Sequence, residues 1–298
     1  MKVLVIGGTN IDINGLVSDE LLLYNSNIGK VETSVGGVGK NIAENLVRLD
    51  VDTTFLTAIG DDDFGHQAKN HFNNIGLKII TPYIKNEKTS TYLAIFNEED
   101  DFFVGINDME ILSNLSKEFL KDNIDFDLYD LIIIDSNLDH KTISYITGNC
   151  SKPIYAEAIS ITKVKKFKPY LNKLSGIKCN LLEAQTLVGA ELGAEALIKS
   201  LLDCGLKEVF ITDGAKGSYY GTKERISHLR PLKSNILNTS GAGDAFFSGA
   251  IYAKINNLDP LKYGNALAKI TLESNQTNNP NLTVEKLERT VKEYENRT

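Results

Sequence analysis

Residues 238–249 read Asn-Thr-Ser-Gly-Ala-Gly-Asp-Ala-Phe-Phe-Ser-Gly, and a second apolar run, residues 250–253, follows them. Two glycines and one carboxylate therefore stand directly before a segment whose apolar residues predict a buried helix. The first backbone N–H groups of a helix have no partner within it, and glycine lets a ligand approach them closely. The sequence therefore predicts an anion site made by the backbone of Gly241, Ala242 and Gly243.

Asp244 lies in the first turn of this predicted helix. The helix dipole favours a carboxylate there, and beside a bound anion the same carboxylate can act as a base toward a hydroxyl group. A phosphate held next to a base indicates phosphoryl transfer. Taken alone, such a stretch is more often a glycine-rich loop with an acidic helix cap, so the remaining sequence has to decide between the two.

Composition and charge narrow the classes of function. The chain has 298 residues, of which 42% are hydrophobic, so it can bury the core of one large α/β domain or two smaller ones. Its net charge of −7 argues against a general affinity for nucleic acid. No leader sequence and no apolar run of roughly 20 residues is present, which predicts a cytoplasmic protein without a membrane span. The three cysteines lack CxxC spacing, so we expect buried thiols and neither a disulfide framework nor a zinc site.

The beginning of the chain predicts a buried strand followed by polar residues. Residues 3–6 are continuously apolar and end at a glycine pair. No GxGxxG motif follows, which argues against a dinucleotide-binding dehydrogenase. Asn10 and Asp12 follow instead, and two residues apart in an extended segment their side chains share a face. An amide and a carboxylate can hold neighbouring sugar hydroxyls; an Asx turn that closes the strand is the alternative.

A second glycine-rich loop, residues 36–41, precedes a helix with Ile42 and Leu46 at helical spacing. The loop is not a Walker A motif, because Asn41 stands where a serine or threonine would bind magnesium. Its glycines, Gly36 and Gly37 among them, more plausibly bring the backbone close to a sugar. Asn41 would then face the same ligand from the first turn of the helix.

Residues 90–96 and 102–105 predict a hairpin around an acidic turn, residues 97–101. Together with residues 13–35, which predict short extended pieces, this hairpin is a candidate lid. Asn107 and Met109 follow it and could reach beneath it. The alternative is that they only begin a helix.

From residue 131 onward the sequence alternates between predicted strands and helices, which is typical of a parallel sheet covered by helices. Strands are predicted at 153–157, 177–180 and 208–212, and helices at 161–172, 183–189, 194–204 and 283–296. Asn180, Glu183 and Glu157 lie at predicted strand ends, and the turn 212–217 follows another. Each is an ordinary strand-to-helix turn when taken singly, but open α/β sheets bind their ligands at this edge.

Taken together, these residues resemble the ribokinase-type carbohydrate kinases, the phosphofructokinase-B-like family, over essentially the whole chain. The motifs that carry the resemblance are residues 36–43 and residues 238–251. The resemblance implies a three-layer α/β/α sandwich with a mainly parallel central sheet. It also implies one kinase domain over residues 1–298, with a small β lid built from about residues 13–35 and 85–106.

The resemblance also implies roles for individual residues. Asp244 would be the catalytic base, and the backbone of Gly241, Ala242 and Gly243 would form the anion hole. Glu183 would act on Mg²⁺ and its waters beside the phosphates of ATP. The residues implied in sugar binding are Asn10, Asp12, Gly36, Gly37 and Asn41, and those implied on the nucleotide side are Asn180, Thr212, Gly214, Gly217, Asn265 and Ala268.

Within the family, residues 34–46, 106–109 and 157–160 are most similar to the branch that phosphorylates the 5′-hydroxyl of the nucleoside pseudouridine. This similarity gives Asn107 and Met109 a role facing the base. Asn238 stands where many members carry aspartate, which leaves the dependence on a monovalent cation open. The role of Glu157, which stands where many relatives have Asp or Asn before Pro, is also open.

The alternatives are a kinase for ribose, another pentose or another nucleoside, and a nucleoside-sensing protein that retains the fold without the chemistry. The expected partners are a small sugar or nucleoside substrate and ATP, without nucleic acid or membrane. The resemblance also implies a homodimer through the lid, because an exposed sheet edge invites pairing.

Overall fold

The computed structural model describes residues 1–99 and 101–295. Within these residues the strands are β1 (Lys2–Ile6), β2 (Asn10–Val17), β3 (Gly29–Gly36), β4 (Asp52–Leu56), β5 (Lys78–Ile80), β6 (Thr91–Phe96), β7 (Phe102–Asp108), β8 (Leu131–Asp135), β9 (Ile154–Glu157), β10 (Gly176–Asn180), β11 (Glu208–Thr212), β12 (Ser218–Gly221) and β13 (Ile226–Leu229). The α-helices are α1 (Val38–Arg48), α2 (Asp63–Asn74), α3 (Lys117–Asn123), α4 (His140–Asn149), α5 (Leu181–Val188), α6 (Ala194–Asp203), α7 (Ala242–Ile255), α8 (Pro260–Leu272) and α9 (Val284–Glu295). Short 3₁₀ helices cover Glu110–Asn114, Phe126–Leu128, Val164–Lys173 and Gly214–Lys216.

The large sheet contains nine of these strands in the order β13-β12-β11-β10-β9-β8-β1-β4-β5. The strands from β11 to β5 in that order pair in parallel, and β12 and β13 are added by antiparallel pairing. Strand β1 is buried on both faces, as its continuous apolar sequence predicts, and its alternate residues enter two different cores. Val3 and Val5 lie in one core, and Leu4 and Ile6 lie in the other.

Helices cover both faces of the large sheet. Residues of α3, α4, α5 and α6 pack in the core that contains Leu4, and residues of α1, α2, α7, α8 and α9 pack in the core that contains Val3. The apolar faces of the helices are thus buried against a sheet that is itself apolar on both sides. This arrangement confirms the predicted three-layer α/β/α fold with a mainly parallel sheet.

A second, smaller sheet has the strand order β3-β2-β6-β7. The predicted hairpin is confirmed, since β6 and β7 pair antiparallel. Two predictions were wrong. Strand β7 continues past residue 105 to Asp108. The short pieces expected at 13–35 belong to two eight-residue strands, Asn10–Val17 and Gly29–Gly36. Most of β2 and β3 is at least partly exposed, so their sequence lacks the apolar alternation of a half-buried strand. In the acidic turn, Asp100 lies outside the described residues.

Three further expectations need correction or completion. The helix expected at 161–172 is the 3₁₀ helix Val164–Lys173, which contains Pro169, a residue without the N–H that an α-helix needs. All three cysteines were expected to be buried, but only Cys179 is; Cys150 is half-buried and Cys204 is exposed. The last helix covers most of the predicted range 283–296, of which residue 296 lies outside the described part. Among the described residues, no helix is both long and apolar enough to cross a bilayer.

Candidate active site

The strand ends of the large sheet bring several predicted residues to one edge. In the parallel register, Glu157 of β9 lies beside Lys178 of β10, and Asn180 of β10 lies beside Thr212 of β11. Helix α7 begins near this edge, because the ideal Cβ position of Gly243 lies 2.7 Å from the ammonium nitrogen of Lys178. This edge therefore brings the start of α7 close to Lys178 and Glu157, beside the strand ends that carry Asn180 and Thr212.

The predicted anion loop, Gly241, Ala242 and Gly243, lies at the start of α7. Gly241 caps α7 with a φ of 77°, in the left-handed region that favours glycine, and α7 starts at Ala242. A Cβ at Gly241 would lie 2.3 Å from the carbonyl oxygen of Thr277, so a side chain would displace backbone. Neither Gly241 nor Gly243 carries a side chain that could cover the first N–H groups of this fourteen-residue helix.

Asp244 lies in the first turn of α7 with 8% of its surface exposed. One of its carboxylate oxygens accepts a 2.8 Å hydrogen bond from the side-chain amide of Asn41. These residues are 203 positions apart in the sequence, so the fold joins the two glycine-rich motifs at this contact. The sequence predicts that both residues face one ligand, and in the structure their side chains are hydrogen-bonded to each other.

The environment of Asp244 suits a proton acceptor. Burial raises the pKa of Asp244 to about 6, although the charge of Lys178 and the hydrogen bond from Asn41 oppose the rise. A carboxylate with this pKa is ionised at neutral pH and still basic enough to take a proton from a positioned hydroxyl. The side-chain oxygen of Asn41 is buried and has no hydrogen-bond partner among the described residues.

Asn10 and Asp12 lie in β2 of the second sheet. The Asn10 amide donates a 2.6 Å hydrogen bond to Asp12, so the two side chains share a face as the sequence predicts. Burial raises the pKa of the Asp12 carboxyl, against the hydrogen bond from Asn10. A Cβ on Gly36 would lie 2.0 Å from the other Asp12 oxygen, so glycine is needed for this close approach. Gly37 follows as the N-cap of α1.

A buried polar network that the sequence did not reveal braces the Asn41 loop. The ammonium group of Lys40 donates to Glu44 at 3.0 Å and to the side chain of Asn278 at 2.9 Å. The amide of Asn278 in turn donates to the backbone oxygen of Asn41 at 2.9 Å. The only sequence signal was the spacing of Lys40, Glu44 and Arg48 along a helix that also carries core residues.

The nucleotide-side residues adopt a strand-to-helix turn. Asn180 caps α5, and Asn180 and Glu183 form a reciprocal capping box with hydrogen bonds of 2.7 and 2.8 Å. Gly214 begins the 3₁₀ turn after β11, and Gly217 follows it. Asn265 of α8 accepts a 3.1 Å hydrogen bond from Ser218, the first residue of β12. Ala268 packs against the core that contains Val3.

Asn107 lies in β7 of the second sheet, and Met109 follows that strand. Neither residue lies at the strand ends of the large sheet. Asn107 is opposite Tyr92, and Tyr92 is opposite Asp12 on the next strand, so all three share one sheet face. Met109 follows β7, and its sulfur lies 4.0 Å from the ammonium nitrogen of Lys163. Lys163 also donates a 2.6 Å hydrogen bond to the side chain of Asn137, a pair the sequence did not reveal.

The same face of the second sheet lines a large cleft. The cleft has a volume of about 1330 Å³ and lies between the second sheet, α2 and the loops 236–240 and 275–278. Asp12, Tyr92 and Phe96 are among its walls, whereas Asp244 is not. The cleft therefore reaches Asp12, one of the predicted sugar residues, from the side of the second sheet.

Asn238 makes two hydrogen bonds within its own loop region. Its oxygen accepts from the backbone N–H of Ser240 at 2.8 Å, and its amide donates to the backbone oxygen of Asn275 at 3.3 Å. The first bond is an Asx turn that shapes the loop before α7. A neutral side chain used in this way supplies no charge for a cation.

The donor set at the strand ends fits a nucleotide phosphate with magnesium. Among the described residues, no group of three or more His, Cys, Asp or Glu side chains is placed to hold a metal ion alone. Mg²⁺ is usually held by one or two carboxylates together with the substrate phosphates. Glu183 and Asp244 lie close enough to Lys178 for their charges to raise its pKa, and a divalent cation would balance carboxylates placed there.

Comparison with known proteins agrees with this arrangement. The model of the pfkB family carbohydrate kinases matches residues 1–284. A pseudouridine kinase from Escherichia coli (strain K12) is 31% identical over 293 residues, covering 95% of this chain and 94% of that protein. A ribokinase from Staphylococcus aureus (strain COL) is 27% identical, covering 91% of this chain and 93% of that protein. The solved structure of a carbohydrate kinase from Agrobacterium tumefaciens has a TM-score of 0.86 at 27% identity, covering 97% of this chain and 96% of that one.

Kinases of this family use ATP, typically with Mg²⁺. The family match spans the second sheet, both glycine-rich motifs and the strand-end residues described above. The predicted family is thereby confirmed. The chain belongs to the pfkB family of carbohydrate kinases, phosphotransferases that act on a hydroxyl group of a sugar or a nucleoside.

Proposed function

We propose that this protein is an ATP-dependent kinase that phosphorylates the 5′-hydroxyl of pseudouridine, with Asp244 as the general base. The observation that carries the chemistry is the contact of 2.8 Å between Asn41 and Asp244 in the first turn of α7. The choice of nucleoside is supported by the 31% identity to a pseudouridine kinase. One kinase domain with the second sheet as its lid is part of the same proposal.

In this mechanism Asn41 orients the Asp244 carboxylate, and Asp244 accepts the proton of the 5′-hydroxyl. The hydroxyl oxygen forms a bond to the γ-phosphorus while the bond from that phosphorus to the bridging oxygen breaks. ADP leaves with the bonding electron pair. The N–H groups of Gly241, Ala242 and Gly243 stabilise the charge on the transferring group, which is spread over its equatorial oxygens.

ATP with Mg²⁺ supplies the phosphoryl group and neutralises part of its charge. Glu183 would act on the ion through its waters, because one of its oxygens already closes the capping box with Asn180. Thr212, Gly214 and Gly217 would border the nucleotide at the end of β11. Asn265 and Ala268, on α8, would lie on the adenine side.

The acceptor side is assigned to the second sheet and the Asn41 loop. Asn10, Asp12 and the backbone of Gly36 and Gly37 would hold the ribose hydroxyls. Asn107 and Met109 would face the base, since the amide of asparagine can both donate to and accept from a uracil edge. Asn107 shares the sheet face of Asp12, which is the face that lines the cleft.

An acceptor panel with an ADP readout tests the choice of substrate. We expect pseudouridine to be used with a kcat/KM at least about 10²-fold above that of ribose, uridine or inosine, because a site built for polar groups rejects ligands that lack them. Asn107→Ala should lower kcat/KM for pseudouridine by about tenfold and leave any ribose phosphorylation unchanged. A higher kcat/KM for ribose would favour a ribokinase, and nucleoside binding without any product would favour the sensing protein.

We further propose that the protein is a homodimer through the second sheet. The face opposite Asp12 is apolar, and Val104 and Ile106 on it are 46% and 64% exposed. Their cross-strand partners in β6 are Ile95 and Leu93, so the exposed residues continue one apolar surface.

Replacing both Val104 and Ile106 by Asp should convert the dimer to a monomer, because two charges would be buried at the interface. Analytical ultracentrifugation of the two forms measures this directly. Leu128→Asp is the control, since Leu128 is 64% exposed like Ile106 but lies outside the second sheet. A wild-type protein that sediments as a monomer would refute the proposal.

A further inference from the structure

Lys178 occupies an unusual position for a charged residue. It lies in β10 between Ile177 and Cys179, which enter the core, and only 5% of its surface is exposed. Its ammonium nitrogen lies 2.8 Å from a carboxylate oxygen of Glu157 on the neighbouring strand. Removing both charges from water is costly, and replacing such a pair by apolar residues is often neutral or stabilising. Stability therefore does not explain the pair.

The ammonium group points at the beginning of α7. A Cβ built on Gly243 would lie 2.7 Å from its nitrogen, so the lysine stands against the backbone that forms the anion loop. An ammonium group has three N–H donors, and Glu157 accepts one of them. Across residues 1–99 and 101–295, no second hydrogen bond from this nitrogen is found. Two donors therefore remain beside Gly243, where the proposed function places the phosphate.

The surrounding charges keep this lysine protonated. Burial disfavours the ammonium form, but Glu157, Glu183 and Asp244 outweigh burial and raise the pKa of Lys178. Burial also raises the pKa of Glu157, to about 8, and the charge of Lys178 opposes this rise. The second oxygen of Glu157 has no hydrogen-bond partner among the described residues, so the pair is not a closed structural unit. Glu157 is itself buried and fixed at the end of β9, which holds the lysine in one orientation.

We infer that Lys178 is a catalytic residue that contacts the phosphoryl group during its transfer, and that Glu157 is the positioning residue for its ammonium group. The inference rests on the anion loop of the proposed function but not on the identity of the nucleoside. It also gives Glu157 a role that the sequence left open. The lysine would donate hydrogen bonds to an equatorial oxygen beside Gly243, where negative charge must be stabilised.

The test compares Lys178→Met with the double variant Glu157→Gln/Lys178→Met. We expect Lys178→Met to lower kcat by about 10²-fold and to raise the Kd for ATP by roughly 10- to 100-fold. The Kd for adenosine, which has no phosphate, should stay at the wild-type value in calorimetric titrations. Lys178→Met leaves the Glu157 carboxyl group buried without its partner, which should lower the melting temperature. The double variant removes both charges, so its melting temperature should return toward the wild-type value while its kcat and ATP affinity remain low.

Lys254→Met is the matched control. Lys254 pairs with Glu208, the first residue of β11, at the end of the strand opposite to Thr212. Its loss should leave ATP affinity and kcat unchanged. The inference is overturned if the double variant binds ATP and turns over like the wild type, or if Lys178→Met weakens adenosine as much as ATP. Failure of the proposed substrate is a separate outcome, because the wild type would then bind ATP normally and yield no pseudouridine phosphate.

Discussion

Replacing Asp244 by Asn should lower kcat by about 10²–10⁴-fold, which is the usual contribution of a general base. Asparagine has nearly the same shape and keeps a hydrogen bond to Asn41 possible, so the substrate can still bind. It cannot accept the proton of the attacking hydroxyl. We therefore expect KM for the nucleoside to change little while kcat falls, as measured by steady-state ADP release.

The pH dependence of the wild type belongs to the same prediction. Because the pKa of Asp244 is raised to about 6, kcat/KM should fall below about pH 6 as one proton binds. The raised pKa also means that the folded protein binds this proton more tightly than the unfolded chain. The contribution of Asp244 to stability therefore decreases as pH rises from 3.8 to about 6. The neutral Asp244→Asn variant should melt at a higher temperature than the wild type at pH 7.

Glu195→Gln provides the control for Asp244→Asn, because Glu195 is a first-turn carboxylate of α6, away from α7 and the anion loop. It should leave kcat unchanged. A turnover of Asp244→Asn within about tenfold of the wild type would contradict the role of Asp244 as base.

Gly241→Ala should lower kcat by about 10²–10³-fold, comparable to the loss of an oxyanion donor. The new methyl group would meet the carbonyl oxygen of Thr277 at 2.3 Å, and backbone cannot yield as a flexible side chain would. The start of α7 must shift, so its N–H groups leave the positions that face the phosphoryl group. Steady-state kinetics and the melting temperature of the variant measure the two consequences separately.

Gly76→Ala is the matched control for Gly241→Ala. Gly76 has a φ of 70°, close to the 77° of Gly241, but an added Cβ there would meet nothing within 4 Å. Both variants should lose about 1 kcal/mol of stability from the left-handed conformation, and only Gly241→Ala should lose activity. Equal activity of the two variants would refute the assignment of the anion loop.

The fold was predictable because its signals are local. Continuous apolar strands such as residues 3–6 and the alternation after residue 131 determine a parallel sheet covered by helices. The second sheet was only partly predictable. Its hairpin has a recognisable turn, but β2 and β3 are too exposed to show a periodic pattern, so their length was missed.

The residues of the candidate site were also predictable only in part. Each glycine-rich motif is a contiguous stretch of sequence, so its residues were predictable without tertiary contacts. Lys178 was missed because a single lysine in a five-residue strand carries no pattern and its partner Glu157 lies 21 residues away. The contacts of Asn278 with Lys40 and Asn41 span more than 200 residues, and only tertiary packing creates them.

The burial of α7 has a consequence for how the molecule can open. Every residue of this helix from Asp244 to Ala253 is buried, so the helix that carries the proposed base is also a central part of the core. We therefore expect its backbone amides to exchange with solvent mainly through global unfolding, and the exposed strands β3 and β7 to open locally at much lower free energy. In the proposed function, the base would thus lie on a helix that is kept rigid by the core, and the freedom to admit and release ligands would reside in the second sheet.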